Sequence, residues 1–173
     1  MAVIAGTKGR VLYTAGAPVA GTDEVQTLTI GGTPTSGTFT LSFQGAVTAP
    51  ITWSSTNNTL VANIDAALGA LRTVVGAANV TTAVGTMTAG IGTITITFVA
   101  ALGKLAVPTI EVVSNDLVGT SPTVAVAETT PGVTATNRGA AKGTLLVRED
   151  TGVLHINTGT AVAPTWTIAG SQS

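Results

Sequence analysis

The chain has 173 residues, with only 9% charged, 3% aromatic, 45% hydrophobic, one histidine, no cysteine and a net charge of -1. About a quarter of an average soluble domain is charged, so the chain falls well below that average. High hydrophobicity with low net charge excludes a disordered chain, and the lack of basic excess excludes a protein that coats nucleic acid through its phosphates. No disulfide or sulfur-ligated metal site is available.

Thr, Ala, Val and Gly supply about 59% of the residues, a mixture that favours strands and turns. Positive mean hydropathy raises the question of a membrane span, and residues 73–103 carry no charge. Gly76, Asn79, Gly85, Gly90 and Gly92 interrupt that stretch, whereas a spanning helix needs about 20 largely apolar residues. Residues 1–10 contain no long apolar run of the secretory kind, so the sequence predicts synthesis in a cytoplasm.

In chain order, residues 1–24 read as an N-terminal arm with one short strand-like run, Arg10 to Thr14. A central β-rich domain is expected over 25–128. Its first strands are Val25 to Ile30 and Gly37 to Phe43, the latter with Phe39, Leu41 and Phe43 alternating against Thr38, Thr40 and Ser42. Gly31 to Ser36 between them reads as a turn, and Pro50 to Trp53 as a third strand.

The period then changes. Leu60, Ile64, Ala67, Leu68, Leu71 and Val75 recur every three or four residues, which predicts a helix over about 58–75, with Asn57 or Asn58 available to cap it. Gly69 inside it implies dependence on packing. Further strands are predicted at Asn79 to Val84, Thr93 to Val99, Thr109 to Val113 and Thr123 to Ala127, with a hairpin turn before Thr93. This order predicts a mainly β, α+β fold, an antiparallel sheet covered by one helix. Residues 129–143 lack periodicity and read as a linker. Residues 144–173 form a small C-terminal β-strand module, in which Glu149 to Gly152 turns Thr144 to Arg148 into Val153 to Asn157, and Pro164 to Ile168 follows. Three short strands bury too little to stand alone, so this module is expected to dock on the main domain or on other subunits, with Leu154, Ile156 and Trp166 as subunit-interface candidates.

Chemistry-bearing motifs are weak. Asp150-Thr151-Gly152 has the aspartic-protease tripeptide, but that chemistry needs two opposed carboxylates and only one copy exists, in a hairpin turn. His155 alternates with Leu154 and Ile156 and reads as an outward-facing or interfacial histidine rather than a catalytic one. Gly139 to Thr144 lacks phosphate-loop spacing and precedes a strand. Asp65, Glu111, Asp116 and Glu128 show no calcium-loop spacing, and glycan hydrolysis would need two carboxylates about 5–9.5 Å apart. Trp53, Tyr13 and Trp166 could form a sugar-stacking platform; the core reading of Trp53 and an anchoring role for Trp166 are preferred. The expectation is therefore a non-enzymatic protein with no cofactor and no metal.

Leu28–Gly45 (LTIGGTPTSGTFTLSFQG), Ala49–Trp53 (APITW), the helix end Ala66–Leu71 (AALGAL) and Ile94–Phe98 (ITITF) together resemble a domain found repeatedly in tailed-bacteriophage virion proteins. Gly143–Gly159 (GTLLVREDTGVLHINTG) followed by Ala163–Thr167 (APTWT) resembles the end of phage head-decoration and head-fibre proteins. The resemblance implies a capsid decoration, or cement, protein on the outer capsid surface. It would be made in the host bacterial cytoplasm and bind the major capsid protein, often as a homotrimer at threefold or quasi-threefold positions. It implies no nucleic-acid or membrane partner. Lys8, Arg10, Val11, Leu12 and Tyr13 of the arm are the capsid-docking candidates, acting by strand addition to an exposed sheet edge. The alternative is a tail-associated or host-surface-binding module, with weak host-surface or glycan contact.

Overall fold

The computed structural model describes residues 11–14, 16–72 and 77–170. The chain divides into two compact units, one of residues 23–133 and one that combines residues 1–22 with 134–173.

The larger unit is a six-stranded antiparallel sheet with one helix, as the alternating pattern predicts. Its strands are β2 (Val25–Phe43), β3 (Ala46–Val47), β4 (Ile51–Thr52), β5 (Val80–Thr88), β6 (Ile91–Phe98) and β7 (Glu111–Thr130). β2 is the central beam. One of its edges pairs with β6 over Val25–Ile30, with β4 at Thr38 and Phe39, and with β3 at Ser42 and Phe43; the other edge pairs with β7 from Val25 to Ser42.

Here the structure corrects the sequence reading. Gly31 to Ser36 is not a turn: β2 runs through it as one strand, and β7 likewise joins the two strands expected at 109–113 and 123–127. Turn-type residues are accommodated because both strands bulge together, with register shifts at Gly31/Thr33 and Pro34/Ser36. Gly119 stands opposite Pro34 with φ +145°, and a Cβ there would run into the carbonyl oxygen of Thr33. Glycine is required at that position.

The register sorts the sheet into two unlike faces. Gln26, Leu28, Ile30, Ile94, Ile96 and Phe98 lie on one, all at most 1% exposed. The helix α1 (Asn57–Gly69) contributes Leu60, Ile64 and Leu68, one per turn, to the same core. Fully burying each such side chain stabilises by about 1.5–3 kcal/mol. Phe43 and Phe98 stack with ring centroids 5.0 Å apart. The opposite face places Thr27, Thr29, Thr93, Thr95, Thr97, Ala125 and Ala127 side by side, none of them buried.

Helix α1 ends at Gly69 rather than reaching residue 75, and Ala70 is its C-cap. Neither Asn57 nor Asn58 caps it. Thr56 holds the N-cap position without a side-chain bond, and Asn57 instead donates to the Met87 carbonyl at 3.2 Å and accepts from Gly90 N–H at 2.8 Å, fixing the β5–β6 hairpin. Asp65 accepts from the Thr82 backbone N–H at 3.2 Å and Asn63 donates to the Thr52 carbonyl at 2.9 Å, so the helix is tied to β5 and to β4. Trp53 is half-buried, and its indole N–H donates to the Gly90 carbonyl at 3.0 Å.

Polar groups clamp the segment before β7. Glu24 and Gln26 are both 0% exposed. Glu24 accepts from the Gln26 side-chain amide and from Val107 N–H at 2.7 Å, while Gln26 accepts from Ile110 N–H at 2.8 Å and donates to the Pro108 carbonyl at 3.1 Å. Buried polar groups are as a rule hydrogen-bonded, and these two are bonded to each other and to the loop backbone. Asp23 adds a bond from Lys104 N–H at 2.8 Å and an ion pair to its ammonium at 3.3 Å.

The smaller unit is a sheet of four strands in the order β1 (Val11–Thr14), β8 (Leu145–Arg148), β9 (Leu154–Asn157) and β10 (Trp166–Ile168). β8, β9 and β10 are antiparallel, and β1 pairs with β8 in parallel. The strand-like run of the arm and the C-terminal module thus share one sheet. Among the described residues no helix is long and apolar enough to cross a membrane.

Candidate functional site

The capsid-docking candidates fall at the edge of the smaller sheet. Lys8 and Arg10 lie outside the described residues. Val11, Leu12 and Tyr13 stand in register with Leu145, Leu146 and Val147, and Leu12 is half-buried. One edge of β1 is therefore occupied by β8, and the other ends the sheet.

The interface candidates separate onto two faces. Leu154 and Ile156 pair with Val147 and Leu145, so these four side chains, all half-buried, share the outer face. Trp166 pairs with Asn157 and lies on the inner face, where its indole N–H donates to the Thr136 carbonyl at 2.9 Å. His155 is also inner and only 6% exposed, which corrects the outward or interfacial expectation. Alternation in β9 was legible, but its sign was not: the apolar partners point out and the polar residues in.

Asn157, missed at the sequence level, organises that inner side. It is 1% exposed, donates to the carbonyls of Ala140 at 2.7 Å and Ala141 at 3.3 Å, and accepts from Gly159 and Thr165 N–H, each at 2.9 Å. One amide side chain thereby holds two loops against β9. A lone asparagine among many turn-type residues gives no sequence signal for this role.

At the β8–β9 turn, Arg148 forms a two-pronged ion pair with Asp150. The hydrogen bond from Arg148 holds the Asp150 carboxyl below its ordinary value, and the same bond raises the guanidinium. Asp150 is thus a turn carboxylate with a cationic partner, as the turn reading of Asp-Thr-Gly requires.

Two open concavities stand out among the described residues. A cleft of about 420 Å³ in the smaller unit is lined by Leu12, Asn137, Arg138, Ala141 and Thr144, and a groove of about 510 Å³ runs between α1 and β5 past Val61, Asp65, Thr82 and Val84. In the groove Asp65 is already engaged by Thr82. Among the described residues no group of three or more His, Asp or Glu side chains converges as a metal site.

The other open surface is β7. It pairs only with β2 among the described strands, leaving an edge along a 20-residue strand, with Val113 and Val118 exposed by 54% and 58%. Such an edge presents unpaired backbone donors and acceptors to any incoming strand.

No family model and no curated protein matches the chain. A solved structure from Mycobacterium phage Patience is similar, with 16% sequence identity over 90% of this chain and a TM-score of 0.42. The match covers 58% of that chain.

Proposed function

We propose that the protein is a structural component of a phage virion that decorates the outside of the capsid and cements it by binding the major capsid protein. The observation that carries this reading is the division into two compact units, each with a sheet edge that no described strand pairs: the β7 edge in one and the β1 edge in the other. A chain with two separate contact surfaces can engage two neighbouring shell subunits at once, and linked contacts raise avidity without any new chemistry. A ligand that binds the assembled shell but not its dissociated parts stabilises the shell by mass action, by about 2.7 kcal/mol per site at a hundredfold excess over Kd. The sequence resemblance to head-decoration proteins supports the same reading. In it the protein has no catalytic task and needs no cofactor.

The test is cryo-electron microscopy of virions carrying tagged protein, with purified undecorated capsids as a second substrate. Density repeated over the head, and a higher capsid melting temperature on addition, are expected. Density confined to one end of the particle would refute capsid decoration and favour the tail-associated, host-surface-binding module. The contribution of the arm is best read from Lys8→Glu with Arg10→Glu, expected to lower capsid occupancy, because deleting residues 1–14 would also strip β1 from β8.

A further inference from the structure

The larger sheet ends in two long edges, β5 and β7, and their backbone groups are treated differently. Phe98 N–H bonds to the Glu24 backbone carbonyl, so in the antiparallel alternation the even-numbered residues of β2 over 26–30 turn to β6 and the odd-numbered ones to β7. Thr27 and Thr29 therefore bond Ala127 and Ala125, and the N–H and C=O of Val124 and Val126 point out of the sheet. On β5 the same alternation turns Thr82 outward, but there the Asp65 carboxylate accepts its N–H at 3.2 Å. The middle of β7 is closed as well. Asn115 accepts from Leu117 N–H at 3.4 Å and donates to the Pro122 carbonyl at 3.0 Å, and Pro122 has no N–H to offer. Sheets commonly blunt their edges with such devices. Residues 123–127 carry none of them: no charge, no proline, and no bond from a described side chain.

We propose that residues 123–127 are a docking edge that takes an extended segment of a partner protein as a further strand beside β7, with apolar side chains over Val124 and Val126 and a Lys or Arg against Glu128. The inference rests on the reading of the β7 edge as a contact surface and adds the chemistry of the partner. In strand addition, main-chain bonds give affinity and alternate side chains give specificity. Val124 and Val126 are half-buried against the core, so an added strand completes their cover. Ala125 and Ala127, on the other face, are small and exposed and leave room for the incoming side chains. Charge selects a basic segment: Glu128 is exposed and without an ion pair among the described residues, and β7 carries Glu111, Asp116 and Glu128 but no Lys or Arg. A second copy of this chain fits poorly. Paired antiparallel about Ala125, it sets Pro122 and the bulge before it opposite Glu128, and paired parallel it sets Glu128 beside Glu128.

The test uses the full chain and two blocked peptides, KVTVKV and its acidic counterpart EVTVEV, each titrated to about 5 mM while backbone amides are followed by NMR. KVTVKV should shift the amides of Val124, Val126 and Glu128 and leave residues 80–84 of β5 in place, and EVTVEV should bind at least about tenfold more weakly. Glu128→Lys should reverse that preference. Val126→Pro removes an outward N–H that the ladder to β2 does not use, so it should abolish peptide binding while β2 and β6 keep their amide protection. Should that variant fail to fold, the Glu128→Lys reversal decides alone. The proposal is overturned by the absence of any shift with KVTVKV, by shifts on β5 in place of β7, by equal binding of the two peptides, or by sedimentation showing self-association that Val126→Pro abolishes. Capsids that take up the protein while neither peptide binds would sink this inference and leave capsid decoration standing. Peptide binding without capsid uptake would do the reverse.

Discussion

Glu24→Gln tests the buried polar clamp with almost no change in volume. The carboxylate presents two acceptor oxygens to two donors, the Gln26 amide and Val107 N–H, in a site that is 0% exposed. A glutamine offers one oxygen and one NH2 group, so one donor loses its acceptor and faces another donor. The loss of a buried charge-assisted bond amounts to about 1–3 kcal/mol. At about 4 °C per kcal/mol for a domain of this size, the melting temperature of the larger unit should fall by about 4–12 °C. Glu24→Ala orphans both donors and leaves a void, and should cost about 3–5 kcal/mol. Glu111→Gln, at an exposed position of β7, is the control and should stay within about 0.5 kcal/mol of wild type. Calorimetry, or chemical unfolding followed by Trp53 fluorescence in a Trp166→Phe background, reads the difference. If Glu24→Gln unfolds within 0.5 kcal/mol of the control, then the Glu24–Gln26–Val107 network is not what holds the loop before β7, and the reasoning fails.

Ile64→Ala, at a 0% exposed helix position, should destabilise the larger unit by about 2–5 kcal/mol in urea unfolding. Gly119→Ala combines a positive φ with a collision against the Thr33 carbonyl, so a loss of at least about 2 kcal/mol is expected, with faster amide exchange at residues 31–37 and 117–123. The exposed Arg148–Asp150 pair should contribute little. Because Asp150 is held below its ordinary value in the folded chain, whatever stability it adds is present above the unfolded carboxylate value and is lost as pH falls through the lowered one; NMR titration read at the Asp150 side-chain carboxyl carbon should place its step in that acidic window.

Periodicity made the core of the larger unit readable. Phe39, Leu41, Phe43, Ile94, Ile96 and Phe98 alternate with Thr and Ser, and Leu60, Ile64 and Leu68 recur at helical spacing; all nine are core. What defeated the reading was residue chemistry that serves two outcomes. Gly31, Gly32, Pro34 and Gly37 suit a turn, but they equally suit a strand whose partner bulges at the matching place, and the partner lies 80 or more residues away. Asn57 suits a helix cap, yet a hairpin closer in space takes its side chain. In the smaller unit, the inward sense of His155 and Asn157 depends on loops that fold over one face, and no local pattern records which face that is. The joining of β1 to β8 is likewise a pairing between segments more than 130 residues apart, beyond any periodicity.

That last pairing bears on the order of events during synthesis. β1 leaves the ribosome before any of residues 23–133, and its neighbour β8 leaves after all of them. The larger unit can therefore close while β1 still waits as a lone strand, and a chain halted before residue 145 would hold a finished sheet with an unmatched leader. Translation itself thus separates the two units in time, and the surface formed by β1, β8 and β9 arises last.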